Sequence, residues 1–378
     1  MLQRQLHLPV HAPKERAVGF SAVEQRARNA TRDMADFSAV ERRARNATRI
    51  IYNRVRKCAS TTVITILDHL MDENNAYTMV HSLQSKYPHP PQNQIHELLR
   101  ALNETCQPWI FHRHLHFVDF QAQRMPFTPV YINVIRKPVD RFISDYYFKR
   151  FRWSRNLTNE ERHMTFDECV LGNHSECLEE QAFLIIPYFC GQRDLCLTPS
   201  RQALELAKRN VIKHYSVVGL QEDLLHTFAL WEQTSPNIFA NLTLFAYRFL
   251  RHPQKINVSK DKKPVSDEAK RRMSERLGYE NEFYDFIQDR LLAMQVYFKT
   301  EMFLKKTLHQ AALDQDSHDF ATKMVELQRS RHLTKVRLHE ALSELDERPP
   351  QEKTQDIHNC RPHRVYTNAS VVWIDNFT

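Results

Sequence analysis

The sequence predicts an α/β fold, a central parallel sheet flanked by helices, and three observations carry that prediction. Two short apolar runs, Ile50-Ile51 and Val130-Tyr131-Ile132-Asn133-Val134-Ile135, have the near-continuous hydrophobicity of strands buried on both faces. Each leads through a basic turn into apolar residues at helical spacing. These are Val63, Ile64, Ile66, Leu67, Leu70 and Met71 after the first run, and Val139, Phe142, Ile143, Tyr146 and Tyr147 after the second. Alternating strands and helices of this kind build parallel sheets with helical crossovers.

Taken in order, residues 1–49 read as a flexible, basic stem. The 13 residues from Phe20 to Arg32 recur from Phe37 to Arg49 with one change, Gln25 to Arg42. That duplication is too short for a solenoid, which needs several stacked units. The alternation then predicts a strand over 50–54, helices over 62–74 and 92–105, strands over 109–117 and 130–135, and a helix after Pro138. Further helices are expected over 200–214 and 222–233 with a strand over 216–220 between them, and a long helical run begins near 280. Beyond 305 the chain is polar, with weaker helical periodicity to about 346 and then Pro349-Pro350, so 301–378 reads as an accessory tail, helical or disordered.

At 378 residues and 42% hydrophobic, the chain is long and apolar enough for a full core. Its 53 basic against 45 acidic residues give a net charge of +8, which favours an anionic partner: nucleic acid, an anionic glycan or a phosphorylated cofactor. Nine Asn-x-Ser/Thr acceptors, at Asn29, Asn46, Asn103, Asn156, Asn173, Asn241, Asn257, Asn368 and Asn376, exceed the roughly two or three that chance supplies. They predict a secretory-pathway protein, with Asn103, Asn156, Asn173, Asn241 and Asn257 in the main domain. Of seven cysteines, Cys169 with Cys177 and Cys190 with Cys196 form two tight intervals that read as disulfide loops, since neither spacing suits zinc ligands. Cys58, Cys106 and Cys360 remain, an odd number. No window approaches 18 apolar residues and the N-terminus has no signal-peptide core, which does not fit the secretory reading, so the sequence is expected to begin after a membrane anchor, or to be an alternative transcript or a faulty gene model.

Three segments carry candidate chemistry. From Arg56 through Lys57, Cys58, Ala59, Ser60, Thr61 and Thr62, a basic residue and small or hydroxylated residues at a helix start offer N–H groups, hydroxyls and an ammonium to an oxyanion. In Phe111-His112-Arg113-His114-Leu115-His116-Phe117, three histidines at period two would share one face of a strand, as a metal site, a general base or neither. In Ile135-Arg136-Lys137-Pro138, a strand-end arginine would project into the crevice where α/β sheets bind ligands, with Ser144 two turns into the following helix.

Together these segments resemble the uronosyl 2-O-sulfotransferases, more closely the uronyl 2-sulfotransferase and Pipe group than heparan sulfate 2-O-sulfotransferase. The likeness runs from about 50 to 300. It includes Phe166-Asp167-Glu168-Cys169 to Cys177, Ile186-Pro187-Tyr188-Phe189-Cys190-Gly191-Gln192 to Cys196, and Glu280-Asn281-Glu282-Phe283-Tyr284. The resemblance implies a P-loop-like sulfotransferase fold over 50–300. It also implies transfer of a sulfuryl group from 3′-phosphoadenosine 5′-phosphosulfate (PAPS) to the 2-hydroxyl of a uronic acid in a glycosaminoglycan. It assigns Arg56 through Thr62 to the 5′-phosphosulfate, Arg136 and Ser144 to the 3′-phosphate, Lys57 to the leaving-group oxygens, His114 to general base, and His112 to a second site histidine. No metal is required.

Arg54, Arg113, Arg150 and Arg152 are candidates for gripping acceptor carboxylates and sulfates. The resemblance further implies a type II membrane protein of the Golgi lumen, with an anionic glycan and no nucleic acid as partner. It leaves a homo-oligomer open, because the chain after about 300 does not look like the segment that helps the heparan enzyme form trimers. Lys137 departs from the acidic residue usual after the strand-end arginine. The alternative function is a catalytically silent protein that binds anionic glycans. A nucleotide kinase lacks its G-x-x-x-x-G-K-[ST] loop here.

Overall fold

Strand formation follows from burial on both faces: Ile50, Ile51 and Tyr52 are at most 1% exposed, and every residue of Val130–Ile135 is buried. The computed structural model describes residues 37–82, 88–152, 157–251, 262–313, 364–368 and 371–375. Its strands are β1 (Arg49–Tyr52), β2 (Thr78–Ser82), β3 (Trp109–His112), β4 (Val130–Ile135), β5 (Tyr215–Leu220), β6 (Arg364–Asn368) and β7 (Val371–Asp375). They form one sheet in the order β5-β4-β1-β3-β2-β6-β7, parallel throughout except for the antiparallel β6–β7 pair.

The chain leaves β1 for β2, returns to β3 between them, then crosses to β4 on the far side of β1. That reversal opens a crevice at the C-terminal ends of β1, β3 and β4, where α/β sheets bind ligands. In register, Tyr52 lies opposite His112 on one side and Ile132 on the other.

The main helices are α1 (Phe37–Arg45), α2 (Ser60–Asn74), α3 (Gln92–Glu104), α4 (Pro138–Arg152), α5 (Phe166–Leu171), α6 (Ile185–Cys190), α7 (Arg201–His214), α8 (Leu224–Thr234), α9 (Leu242–Arg251), α10 (Asp267–Arg276), α11 (Gly278–Tyr297) and α12 (Thr300–Leu313). α2 buries Val63, Ile66, Leu67 and Leu70 completely, each contributing about 2 kcal/mol. It ends at Asn75, whose left-handed backbone returns an N–H to Met71.

α4 begins at Pro138, where a missing N–H costs nothing. Its Phe142, Ile143, Tyr146 and Tyr147 pack on Phe166 and Val170 of α5 and on Ala269 and Met273 of α10. Cys169 in this cluster is bonded to Cys177, and Cys190, at the end of α6, is bonded to Cys196, as the spacing predicts. Cys58 is a buried free thiol, Cys106 is disulfide-bonded, and Cys360 lies outside the described residues.

Four features depart from the sequence expectation. Phe37–Arg45, assigned to the stem, is a helix whose Phe37, Val40 and Ala44 enter the core and whose Arg43 donates to the carbonyls of Lys213 and Tyr215. The other copy of the repeat lies outside the described residues. β3 stops at His112 rather than running to 117. β2 was not foreseen, because His81 and Ser82 break its apolar run. The tail adds α12 and two strands, β6 pairing with β2; a hairpin signal was present in Val365-Tyr366-Thr367 and Val371-Val372-Trp373-Ile374 around two small residues. Without β6 the β2 edge would present unpaired backbone groups.

Residues 314–363 lie outside the described residues, as do Asn29, Asn156, Asn257 and Asn376 among the glycan acceptors. Asn46, Asn103, Asn173 and Asn241 are exposed. Among the described residues no helix is long and apolar enough to cross a membrane.

Candidate active site

After β1 the backbone turns through Lys57 at φ 64° and Ala59 at φ 55°, with Cys58 between them. Alternating handedness of this kind points successive N–H groups into one concavity. Ala59 places no side-chain cap on α2, so the amides of its first turn face the same space. Lys57 Nζ sits 3.9 Å from the centre of the Phe148 ring on α4. Desolvation lowers its pKa, Asp145 opposes that, and Arg136 and Arg56 add to it. Lys57 thus lies within the field of two arginines and of Asp145.

The facing wall is α4 and the residue before it. Arg136 follows β4 directly and is half-buried, as is Ser144. Asp145 is buried among Arg56 Nη2 at 3.5 Å, Lys149 Nζ at 3.5 Å and Arg141 Nη1 at 3.9 Å. Burial raises its pKa, but these cations outweigh that and the carboxyl is held below its ordinary value. One carboxylate therefore anchors several cations and leaves the crevice positive. Lys137 is exposed; its N–H donates to Glu222 Oε1 at 3.0 Å, so Glu222 brings a carboxylate to this turn. Backbone N–H groups, Lys57, Arg56 and Arg136 form a donor set suited to phosphate or sulfate oxygens.

The histidine segment leaves the sheet after His112, so its three imidazoles take three different environments. His114 Nδ1 lies 2.8 Å from the carbonyl oxygen of Arg54. A carbonyl only accepts, so Nδ1 carries the proton and Nε2 holds the lone pair. Burial, then the Arg54 charge, push the imidazole pKa down to about 3, with Arg56 adding and the Arg54 hydrogen bond and Asp145 opposing. His112 faces His81, and His116 packs against Tyr188 and His89.

The base and the cradle are tied together through Asn53, which is fully buried. Its Nδ2 donates to Tyr188 O at 2.8 Å and to Leu115 O at 3.3 Å, while Asn133 and Tyr215 donate to its Oδ1. One side chain thus holds the end of β1, β4, β5 and the loop that bears His114.

The remaining expected residues divide. Arg54 lies in the site, half-buried, and desolvation lowers its pKa against the influence of Tyr52 and Tyr188. Arg113, the first residue after β3, is 3% exposed. Arg150 pairs with Glu176 and stacks 3.4 Å over Tyr146, contacts that tie it to the fold. Arg152 ends α4, and its side chain lies outside the described residues. Burial pushes the Cys58 thiol up to about 12, so the cradle cysteine is a neutral packing group and contributes backbone alone.

Sequence reasoning missed Asp145, Glu222 and the Asn53 network, and it gave Glu280 no role. Glu280 is 1% exposed and its Oε1 accepts from the N–H groups of Leu184, Ile185 and Ile186, which fixes the start of α6 under Tyr188. Glu280 stood inside a recognised motif; Asp145 had only its adjacency to Ser144. Among the described residues no group of three or more His, Cys, Asp or Glu side chains is placed to hold a metal ion.

Residues 43–287 match the family model described as "Sulfotransferase family". The chain is 35% identical to uronyl 2-sulfotransferase of Homo sapiens over 269 residues, covering 68% of this chain and 66% of that protein. It is 36% identical to the Mus musculus uronyl 2-sulfotransferase over 252 residues, 64% of this chain and 61% of that one. It is also 36% identical to heparan sulfate 2-O-sulfotransferase 1 of Gallus gallus over 248 residues, 63% and 68%. The chain thus spans just under two thirds of the uronyl relatives' length.

Proposed function

The chain belongs to the sulfotransferase family, and from that membership we propose that it transfers a sulfuryl group from PAPS to the 2-hydroxyl of a uronic acid in a glycosaminoglycan or related anionic glycan. The observation that carries this reading is the imidazole of His114 held as an Nδ1–H donor to the Arg54 carbonyl, within the field of the Arg54 and Arg56 charges. The names of the relatives, uronyl 2-sulfotransferase and heparan sulfate 2-O-sulfotransferase, support the acceptor class.

The donor supplies the sulfuryl group and a phosphate leaving group. Lys57 and the amides around Ala59 hold the 5′ oxygens and balance the charge that gathers there as the bond breaks. Arg136 and Ser144 hold the 3′-phosphate from the opposite wall. Arg54 meets acceptor carboxylate or sulfate. His114 Nε2 takes the proton of the attacking hydroxyl. An imidazole whose pKa lies near 3 is a weak base in the empty site, but the charges of Arg54 and Arg56 are part of what lowers it. Anionic donor and acceptor neutralise those cations, and its basicity rises when both are in place.

The excess of glycan acceptors supports passage through the secretory pathway, and the glycan-sulfating relatives favour residence in the Golgi lumen. The test is transfer of labelled sulfate from PAPS by the secreted chain to desulfated heparan, dermatan and chondroitin, with disaccharide analysis. A 2-O-sulfated uronate is expected. Retention of the glycans and of 3′-phosphoadenosine 5′-phosphate without any transfer would replace this reading with that of a silent binding protein.

A further inference from the structure

α4 turns one open stripe towards the cradle. Between Arg141 and Arg150 only Ser144, Phe148 and Lys149 are half-buried, and the other seven residues are buried. Lys57 Nζ rests over the Phe148 ring and Arg56 Nη2 reaches Asp145 Oδ2, so it is the cradle that this stripe faces. Lys149 stands on it one turn after Asp145, its side chain 35% exposed. About 7.5 Å of helix separates Lys149 from Ser144. Ser144 is the nearer of the two to Arg136, at the start of α4, while Lys149 is level with Phe148 and therefore with Lys57.

Asp145 explains why the charge of Lys149 is available. The carboxylate has Arg141 Nη1 at 3.9 Å, and that guanidinium, 1% exposed, is enough to balance it. Arg56 and Lys149 are then cations in excess, and both are open to solvent, with side chains 31% and 35% exposed. Each lies 3.5 Å from the same Oδ2 atom, so the two charges stand within about 7 Å of each other. Those contacts are longer than the roughly 2.7–3.2 Å of a well-formed N–H···O bond. Among the described residues Lys149 pairs with Asp145 alone, which leaves most of its N–H groups for a ligand.

We propose that Lys149 is an acceptor-binding residue, whose ammonium meets a carboxylate or sulfate ester of the glycan beside the sugar that receives the sulfuryl group. This rests on the reading of the crevice as the transfer site. There Arg136 and Ser144 take the 3′-phosphate and Lys57 the 5′ oxygens, so the open stripe of α4 follows the donor from Ser144 to Phe148. Lys149 lies at the reacting end, where the acceptor must approach. A glycan anion there sits beside two cations that a buried carboxylate already holds in place. Ordering the lysine side chain on binding therefore costs less than it would for a free one. Its ammonium is a point charge rather than a planar fork, which suits carboxylate and sulfate alike.

The test uses the full chain with 3′-phosphoadenosine 5′-phosphate bound, and heparan, dermatan and chondroitin, each sulfated and fully desulfated, as probes. In Lys149→Gln, glycan affinity by calorimetry is expected to fall roughly 5-fold to 10-fold, the weight of one charge-assisted contact at a partly open site. KM for the glycan should rise by the same factor with kcat held, and Lys149→Arg should restore most of the affinity. Affinity for the nucleotide and the melting temperature should not change. Lys305→Gln, which removes an equal charge from α12, should leave glycan affinity unaltered. A loss seen only with sulfated glycans assigns the contact to a sulfate ester, and an equal loss with desulfated ones assigns it to a carboxylate. Unaltered glycan affinity in Lys149→Gln, an equal loss in Lys305→Gln, or a loss of nucleotide affinity instead overturns the proposal. A glycan affinity that depends on Lys149 in a chain that transfers no sulfate would keep the contact and remove the transfer reading.

Discussion

The Nδ1 atom of His114 lies 2.8 Å from the carbonyl oxygen of Arg54, which joins the candidate base to the first turn of the anion cradle. A displacement of either loop therefore moves both halves of the site. The contact also fixes which imidazole nitrogen can accept a proton.

Replacing His114 with Gln should keep the bond to Arg54 and remove the base. Turnover is expected to drop roughly 100-fold or more, the usual weight of a positioned general base. Binding of 3′-phosphoadenosine 5′-phosphate, followed by calorimetry, should stay unchanged. Full turnover in this variant would sink the assignment of the base.

The pH profile should split. In free enzyme, burial and Arg54 hold His114 near pKa 3, so the acid limb of kcat/KM should lie far below the ordinary imidazole value of about 6.5. With anionic donor and acceptor bound, the imidazole binds its proton more tightly, and the acid limb of kcat should lie at higher pH. Coincident limbs in steady-state profiles would contradict the charge argument.

Stability should also depend on pH through the buried histidines. Burial depresses His116 to about 3 and His214 to about 4 in the folded chain. Unfolded histidine takes up a proton near pH 6.5, so stability is fully present above that value and is lost as pH falls from about 6.5 towards 4. Urea midpoints measured across this window should decline less steeply in His116→Gln than in the unaltered chain.

Arg150→Ala should act on the fold rather than on the acceptor. Loss of the Glu176 pair and the Tyr146 stack is expected to cost about 2 kcal/mol. A thermal melt should show that loss, while KM for the glycan holds. A raised KM with no change in melting would return Arg150 to the acceptor site.

Asn53→Ala should be the more damaging change. It strands the Leu115 carbonyl and the Tyr215 hydroxyl in a fully buried place, while the Tyr188 carbonyl keeps the Phe117 N–H and Asn133 Nδ2 keeps the backbone carbonyl of residue 53. At about 1–3 kcal/mol for each stranded group, the total reaches roughly 3 kcal/mol. Expression with a normal melting temperature would show that water replaces the network.

Local pattern was enough to read the alternating strands and helices, the Lys57 turn, the Arg136 strand end and the two disulfide loops, because each is written within about ten consecutive residues. The rest depends on pairing across long separations. That β3 ends at His112, and so splits three evenly spaced histidines among three environments, follows from where Asn53 captures Leu115, 62 residues away in sequence. Arg150 and Arg54 are alike as residues; one meets Glu176 and the other lines the crevice because α4 packs its far end on the Cys169–Cys177 loop. Asp145 enters the site only because α4 lies against the cradle, and His81 meets His112 only because β2 inserts beside β3. The sequence determined which groups could carry charge and protons, while the packing of distant segments decided which of them meet, since burial and hydrogen-bond partners exist only once the sheet has formed.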